Sequence, residues 1–404
     1  MKIRAITGFF DPLTDSTSSL KSLADCTSEI ISALQAKGVV VQSRRIATPP
    51  FPQWADDRGR ENRHETIHAL VDQTRKLGWQ YTSIGPALPE NINDYRDIPH
   101  LLMLDDTLFA GGVISSHGRL FPNATAAAAG VITENARTSA DGFSNLRFAA
   151  LANVEPYAPF LPAAYAQAGQ GPAIALAIEC ADAAVNAFSQ AKSITGGMSA
   201  FLTQLESYAR LLEDTCNGIC AHHAVEFKGF DFSPAPYPQE WCSLGKALEL
   251  LGVPALGGSG SLAAAALVAS TLDKGNWKKT GFNGLMLAVL EDSTLALRAA
   301  EKQLTLKDLL LYSAVCGTGL DTIPLPGDAT PEQIGSVLLD LGALAVRLNK
   351  PLTGRLMPIP GKKAGDETSF EFEFFANSRI MELGVQTIGA PLKDAPLIDI
   401  PSRK

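Results

Sequence analysis

The sequence predicts an α/β fold whose strands run mostly parallel, with helices crossing between them. Three observations predict it. The first ninety residues read strand, helix, strand, helix, strand, the rhythm of crossover connections. The alternation returns in the middle of the chain, at GPAIALAIECADAAVNAF, and continues into the last third. No stretch is long, polar and low in complexity, and nothing repeats at a solenoid or propeller period. Residues 1–404 therefore read as one large domain, with a helical subregion at 193–223.

Lys2 to Thr7 (KIRAIT) alternates and reads as the opening strand. Leu20, Leu23, Ala24, Ile30, Ile31 and Leu34 keep helical spacing up to Gly38, a C-terminal cap. VVVQSRRIAT is a β-branched run closed by Pro49, Pro50 and Pro52. A polar helix from Asn62 to Leu77 ends at Gly78 and leads into WQYTSIGPAL. Asn123 caps a helix through TAAAAGVITENA, and GFSNLRFAALANV reads as strand before the proline-broken EPYAPFLPAAY. A long helix starts after Gly196-Gly197. Glu226 to Asp231 is a short strand feeding DFSPAPYPQEW, where three prolines forbid regular structure. GLMLAVLED reads as a buried strand ending in Glu291 and Asp292.

The stretch Asp308 to Asp328 carries the densest local chemistry. Thr305 and Asp308 have capping-box spacing, so a helix runs through LKDLLLYSAV until Gly317 and Gly319 stop it. Thr330-Pro331-Glu332-Gln333 opens the next helix, whose apolar face runs from Ile334 to Leu348. Between the helices lie Cys316, Thr318, Asp321 and Asp328. The bland alternative is a tight connection with polar residues in water.

A net charge of −8 argues against nucleic acid or an anionic membrane as the main partner. No apolar run is long enough to span a bilayer, and MKIRAITGFF lacks a secretory apolar core. Six cysteines in no repeating framework point to reduced thiols and a cytoplasmic protein. A homo-oligomer, in the first instance a dimer, is the expected assembly.

Several groups stand out as candidate sites. Gly258, Ser259, Gly260 and Ser261 open an alanine-rich helix, and free N-terminal amides there suit a phosphate or carboxylate. A self-capped glycine turn is the competing reading. Asp231, Glu291, Asp292, Asp321 and Asp328 all follow regular elements. Convergent carboxylates divide acid and base roles or hold Mg or Ca through oxygen, whereas single ones are more often helix caps. Arg355 and Lys362 lie in RLMPIPGKKAGD and could hold an anionic substrate. Cys216, Cys220, His222 and His223 invite a zinc reading, but their spacing fits poorly. Cys242, near a helix start, could gain thiolate character, while Cys26 and Cys180 read as core.

The phrases GFSNLRFAAL, FLPAAY, FDFSPAPYP, GSGSLAAAALVAS, YSAVCGTGLDTIPLPGD and RLMPIPGKKAGD resemble the prokaryotic proteins grouped as domain of unknown function 711. The resemblance runs from KIRAIT to GKKAGD. It implies a ten-stranded α/β barrel similar to that of pyruvate formate-lyase and the glycyl radical enzymes. It implies no function. Glycyl radical enzymes carry an Arg-Val-x-Gly-Tyr type motif near the C-terminus, and RIMELGVQTIGAPL lacks it, so no glycyl radical is expected.

The main expectation is an enzyme that acts without a radical on a small anionic metabolite, with lyase or transferase type drawn partly by analogy with the resembled fold. Asp321, Cys316 and Asp328 would serve chemistry. Gly258 to Ser261, Arg355, Lys362, Asp231 and Thr318 would hold substrate, and Glu291 with Asp292 a divalent metal. The competing class is a non-catalytic sensor of an amino acid or nucleotide.

Overall fold

The computed structural model describes residues 1–55, 59–315, 317–384 and 387–403. The chain begins with β1 (Lys2–Phe9), α1 (Thr17–Ala36), β2 (Arg44–Ala47), α2 (Arg60–Lys76), β3 (Tyr81–Ala87), α3 (Ile92–Leu102) and β4 (Leu108–Ser116). There follow β5 (Arg119–Leu120), α4 (Pro122–Thr138), β6 (Phe148–Ala152), β7 (Ala173–Glu179), α5 (Ala181–Ser189), α6 (Ile194–His222) and β8 (Glu226–Asp231). The last third holds α7 (Leu244–Leu250), α8 (Ser261–Asp273), α9 (Ser293–Ala300) and α10 (Leu306–Val315). It closes with β9 (Gly319–Pro326), α11 (Pro331–Leu348), β10 (Leu352–Ile359) and β11 (Ile398–Asp399).

The strands form one mixed sheet of eleven, ordered β8-β7-β1-β2-β3-β4-β6-β10-β9, with β5 beside β4 and β11 beside β5. Along this order every pairing is parallel except β1 with β7 and β6 with β10. Three parallel runs, β8-β7, β1-β2-β3-β4-β6 and β10-β9, are thus joined antiparallel at two seams. Both end strands also hydrogen-bond to the irregular segment 278–290. At β8, the Phe230 amide donates to the Lys278 carbonyl (2.8 Å) and the Thr280 amide to the Phe230 carbonyl (3.1 Å). At β9, the Thr318 amide donates to the Leu285 carbonyl (3.2 Å) and the Val289 amide to the Asp321 carbonyl (3.1 Å).

β7 shows how alternation builds two different faces. In AIALAIE, Ile174, Leu176 and Ile178 enter the large core shared with the helices. Each such side chain contributes about 1.5–3 kcal/mol by burial. Ala173, Ala175 and Ala177 turn to the other face, where Ala5, Ala47 and Ala288 join them in two smaller clusters. Alanines there supply little volume. The space they leave is filled by Phe160, Leu161 and Met286, which in turn line the cavity described below.

Two of the capping signals are met. Thr305 and Asp308 bond reciprocally, and Thr330 with Gln333 forms a capping box. Four expectations need correction. GLMLAVLED is buried but makes only the single bridge Ala288↔Asp321, because Gly281 and Asn283 adopt left-handed backbone and a turn follows at 289–291. Gly196-Gly197 lies inside α6, which Ser193 caps by accepting from the Gly196 amide (3.1 Å). Asn123 sits in the first turn of α4, whose cap is Phe121. Residues 319–326 form a strand of the sheet rather than a loop between helices. Among the described residues no helix is long and apolar enough to cross a membrane.

Candidate functional site

A cavity of about 920 Å³ opens on this second face of the sheet. Its charged floor comes from strands that the sequence keeps far apart. Asp321 on β9 accepts from Arg355 Nε on β10 (2.5 Å), and Arg355 Nη2 donates to Glu291 Oε1 (2.7 Å). Glu291 Oε2 accepts from Arg4 Nη2 on β1 (3.2 Å), and Arg4 Nη1 lies 3.4 Å from Glu179 Oε2 at the end of β7. Five charged groups therefore alternate in sign across the sheet. All are buried. Burial alone would lower the Arg355 pKa, but Asp321 and Glu291 outweigh it and raise the group above its ordinary value.

Local irregularities aim these side chains. Between Gly354↔Leu320 and Leu356↔Ile323, the single residue Arg355 faces both Asp321 and Thr322, a β-bulge. Thr322 holds φ +45°, a conformation that a β-branched residue adopts only under constraint. Its hydroxyl accepts from the Leu290 amide (3.3 Å), which ties the bulge to segment 278–290. A second register shift, between Ile3 and Ala5, falls on Arg4. Bulges thus set Asp321 and Arg355 at one end of the charged chain and Arg4 near the other.

Arg45 on β2 differs from the other cavity arginines. Its Nε donates to Ser43 Oγ (2.9 Å) and its guanidinium lies 5.8 Å from the Tyr81 ring centre. Among the described residues it has no carboxylate within ion-pair distance, and its Nη groups have no protein acceptor. Burial, then the nearby charge of Arg4, lowers its pKa to about 10. The surface it retains faces the cavity. Asp321 Oδ2 is the complementary case, a carboxylate oxygen on the cavity without a donor among the described residues.

The uncharacterised ACR (DUF711) family description matches residues 1–376. The chain belongs to that family. It is similar to a UPF0210 protein of Pyrobaculum aerophilum, 35% identical over 272 residues, covering 61% of this chain and 58% of the relative. Another UPF0210 protein, from Methanopyrus kandleri, is 28% identical over 354 residues, covering 82% and 77% respectively. A third, from Lacticaseibacillus casei, is 34% identical over 150 residues, covering 36% and 32%. The chain thus spans under two-thirds of the length of its Pyrobaculum relatives.

Of the residues singled out in the sequence, the cavity gathers Asp321, Arg355, Glu291 and Thr318, whose hydroxyl donates to the Leu285 carbonyl (3.3 Å). Cys316 falls outside the described residues. Asp328 is exposed beyond the end of β9, and Lys362 borders a separate hollow of about 80 Å³. Gly258 to Ser261 do not line the cavity. The Gly258 amide donates to the Ala255 carbonyl (3.1 Å), the Ser261 amide to the Gly258 carbonyl (3.2 Å), and Ser261 Oγ accepts from the Gly257 amide. That turn satisfies much of its own bonding.

Asp231 is a fastener rather than a substrate ligand. Its oxygens accept from the Ser233 amide and hydroxyl and from the amides of Phe282 and Asn283, pinning segment 278–290 to β8. The metal reading of Glu291 with Asp292 also fails on donor chemistry. Glu291 is held by two guanidinium groups, while Asp292 caps α9 and accepts from Ser243 Oγ (2.6 Å) and the Gly245 amide (3.1 Å). Among the described residues no three His, Cys, Asp or Glu side chains converge as metal ligands. Cys216 and Cys220 are buried, and His223 bonds Glu29 (2.9 Å). Burial pushes the Cys242 thiol up to about 12, so the helix start does not activate it. Asp292→Ala should cost about 2–3 kcal/mol, because four donors lose one acceptor group. Urea unfolding measures it, and a change below about 0.5 kcal/mol would contradict the capping role.

Arg4, Arg45 and Glu179 escaped sequence reasoning. The available signal was an arginine inside an otherwise apolar strand, the feature that marked Arg355.

Proposed function

We propose that the protein is an enzyme that binds a small carboxylate or phosphate metabolite in this cavity and transforms it without a radical, as a lyase or transferase. The unpaired Arg45 guanidinium carries the reading. A half-buried cation without a counter-ion is costly, and an anionic ligand supplies the missing partner with two parallel hydrogen bonds. Asp321 Oδ2 is the acid–base group, positioned by Arg355. A sensor needs the first feature only, and the open carboxylate favours the enzyme. We also read the sheet as a closed barrel. Nine strands form the main path, and segment 278–290, bonded to both of its ends, supplies a tenth stave. The two antiparallel seams then divide the barrel into halves of five.

Thermal unfolding tests the anchor. Titration with sodium phosphate or sodium acetate at constant ionic strength should raise the Tm of the wild type by mass action and leave Arg45→Met unmoved. Without anion, Arg45→Met should be the more stable protein by roughly 1–3 kcal/mol. The Arg45 pKa is lower folded than unfolded. Its penalty is therefore complete below about pH 10 and fades only as pH rises towards the ordinary arginine value. Equal anion responses in the two proteins would overturn the reading.

A further inference from the structure

The cavity is much larger than a simple anion, and its lining combines two chemistries. One part is the charged floor with Arg45. Another is aromatic and comes from connecting segments. In FEFEFF, Phe372 and Phe374 line the cavity while Glu371 and Glu373 are exposed, so strand-like alternation directs two rings inwards without a regular strand. Phe143 meets Phe372 edge-to-face at 5.1 Å, and Phe372 lies 5.3 Å from Phe374. The Phe374 ring in turn lies 5.4 Å from the Arg4 guanidinium. The aromatic wall therefore runs up to the charged chain.

Phe372 and Phe374 are only half-buried, although Phe370 and Phe375 beside them are packed away. Leaving aromatic faces open to an internal space forgoes burial of about 25 cal/mol per Å². An apolar ligand recovers that term. The volume points the same way, since cavities of roughly 300–1,000 Å³ enclose ligands well beyond the size of phosphate or acetate.

Building on the anion reading above, we infer that the natural ligand is two-ended, an aryl or comparably flat apolar body carrying a terminal phosphate or carboxylate. The anion sits on Arg45 and the body lies against Phe143, Phe372 and Phe374.

Calorimetric titration with paired probes tests this: phenyl phosphate against inorganic phosphate, and phenylacetate against acetate. Each aryl probe should bind the wild type roughly tenfold or more tightly than its simple counterpart. The better pair identifies the head group as phosphate or carboxylate. Phe372→Ala should bring the aryl probe close to the simple anion while simple-anion affinity holds. Phe374→Leu, a milder change, should move the same way. Arg45→Met should lose both members of a pair. Equal affinities for aryl and simple anions in the wild type, both lost in Arg45→Met, would overturn the two-ended ligand and leave the anchor standing. If Arg45→Met bound both as the wild type does, the anchor itself would fall.

Discussion

Arg355→Met is expected to cost about 3–5 kcal/mol of folding stability, because it leaves two buried carboxylates without their shared cation. Asp321 loses the Nε donor at 2.5 Å and Glu291 the Nη2 donor at 2.7 Å, and among the described residues only Arg4 still answers Glu291. Arg355→Lys should fall between, since a single ammonium cannot fork to both carboxylates. The deficit should depend on pH with a definite sign. An unpaired carboxylate in this interior has a folded pKa above its unfolded value. Its protonated form is tolerated, so the variant keeps more stability at low pH and loses it as pH rises through the raised value. Urea unfolding of both proteins at about pH 5 and about pH 8 should thus show the larger gap at the higher pH. A gap that was small, or wider at the lower pH, would mean that the ion chain does not bear on stability.

Much of the secondary structure was legible because its causes are local. Capping boxes at Thr305 and Thr330 join residues three apart, and the alternation of AIALAIE needs only seven positions. The site was legible in half. Asp321 and Arg355 were visible as polar residues beside breakers or inside an apolar phrase. The same signal also marked Asp231 and Asp292, which end elements for structural reasons, since a carboxylate beside a helix start looks alike whether it caps or reacts. What separates the two cases is how many donors fold back onto each group, and that depends on chain segments remote in sequence. The chain from Asp321 through Arg355, Glu291 and Arg4 to Glu179 links five strands or segments. No spacing rule reaches across it. The bulges that aim Arg4 and Asp321 arise from register between partner strands, which a single strand's pattern does not encode.

Asp321→Asn should separate chemistry from binding more cleanly than any other single change. The amide keeps an Oδ1 acceptor for Arg355 Nε and nearly the same volume, so stability should stay within about 1 kcal/mol of the wild type. What disappears is the carboxylate oxygen that faces the cavity without a donor among the described residues. Removing a positioned acid–base group costs about 10²–10⁴ in turnover. Turnover can be followed before the substrate is identified, as the depletion of individual compounds from a pool of carboxylated and phosphorylated metabolites, read by mass spectrometry. The wild type should deplete one class of compound, and Asp321→Asn should deplete it at least about a hundredfold more slowly while retaining the anion-induced rise in Tm. Asp328→Asn is the control, since its side chain is exposed beyond β9 and should leave the rate unchanged. Near-normal depletion by Asp321→Asn would remove this carboxylate from the mechanism. A wild type that bound anions through Arg45 yet depleted nothing would make the cavity a receptor, with the Asp321 oxygen accepting a ligand hydrogen bond instead of a proton.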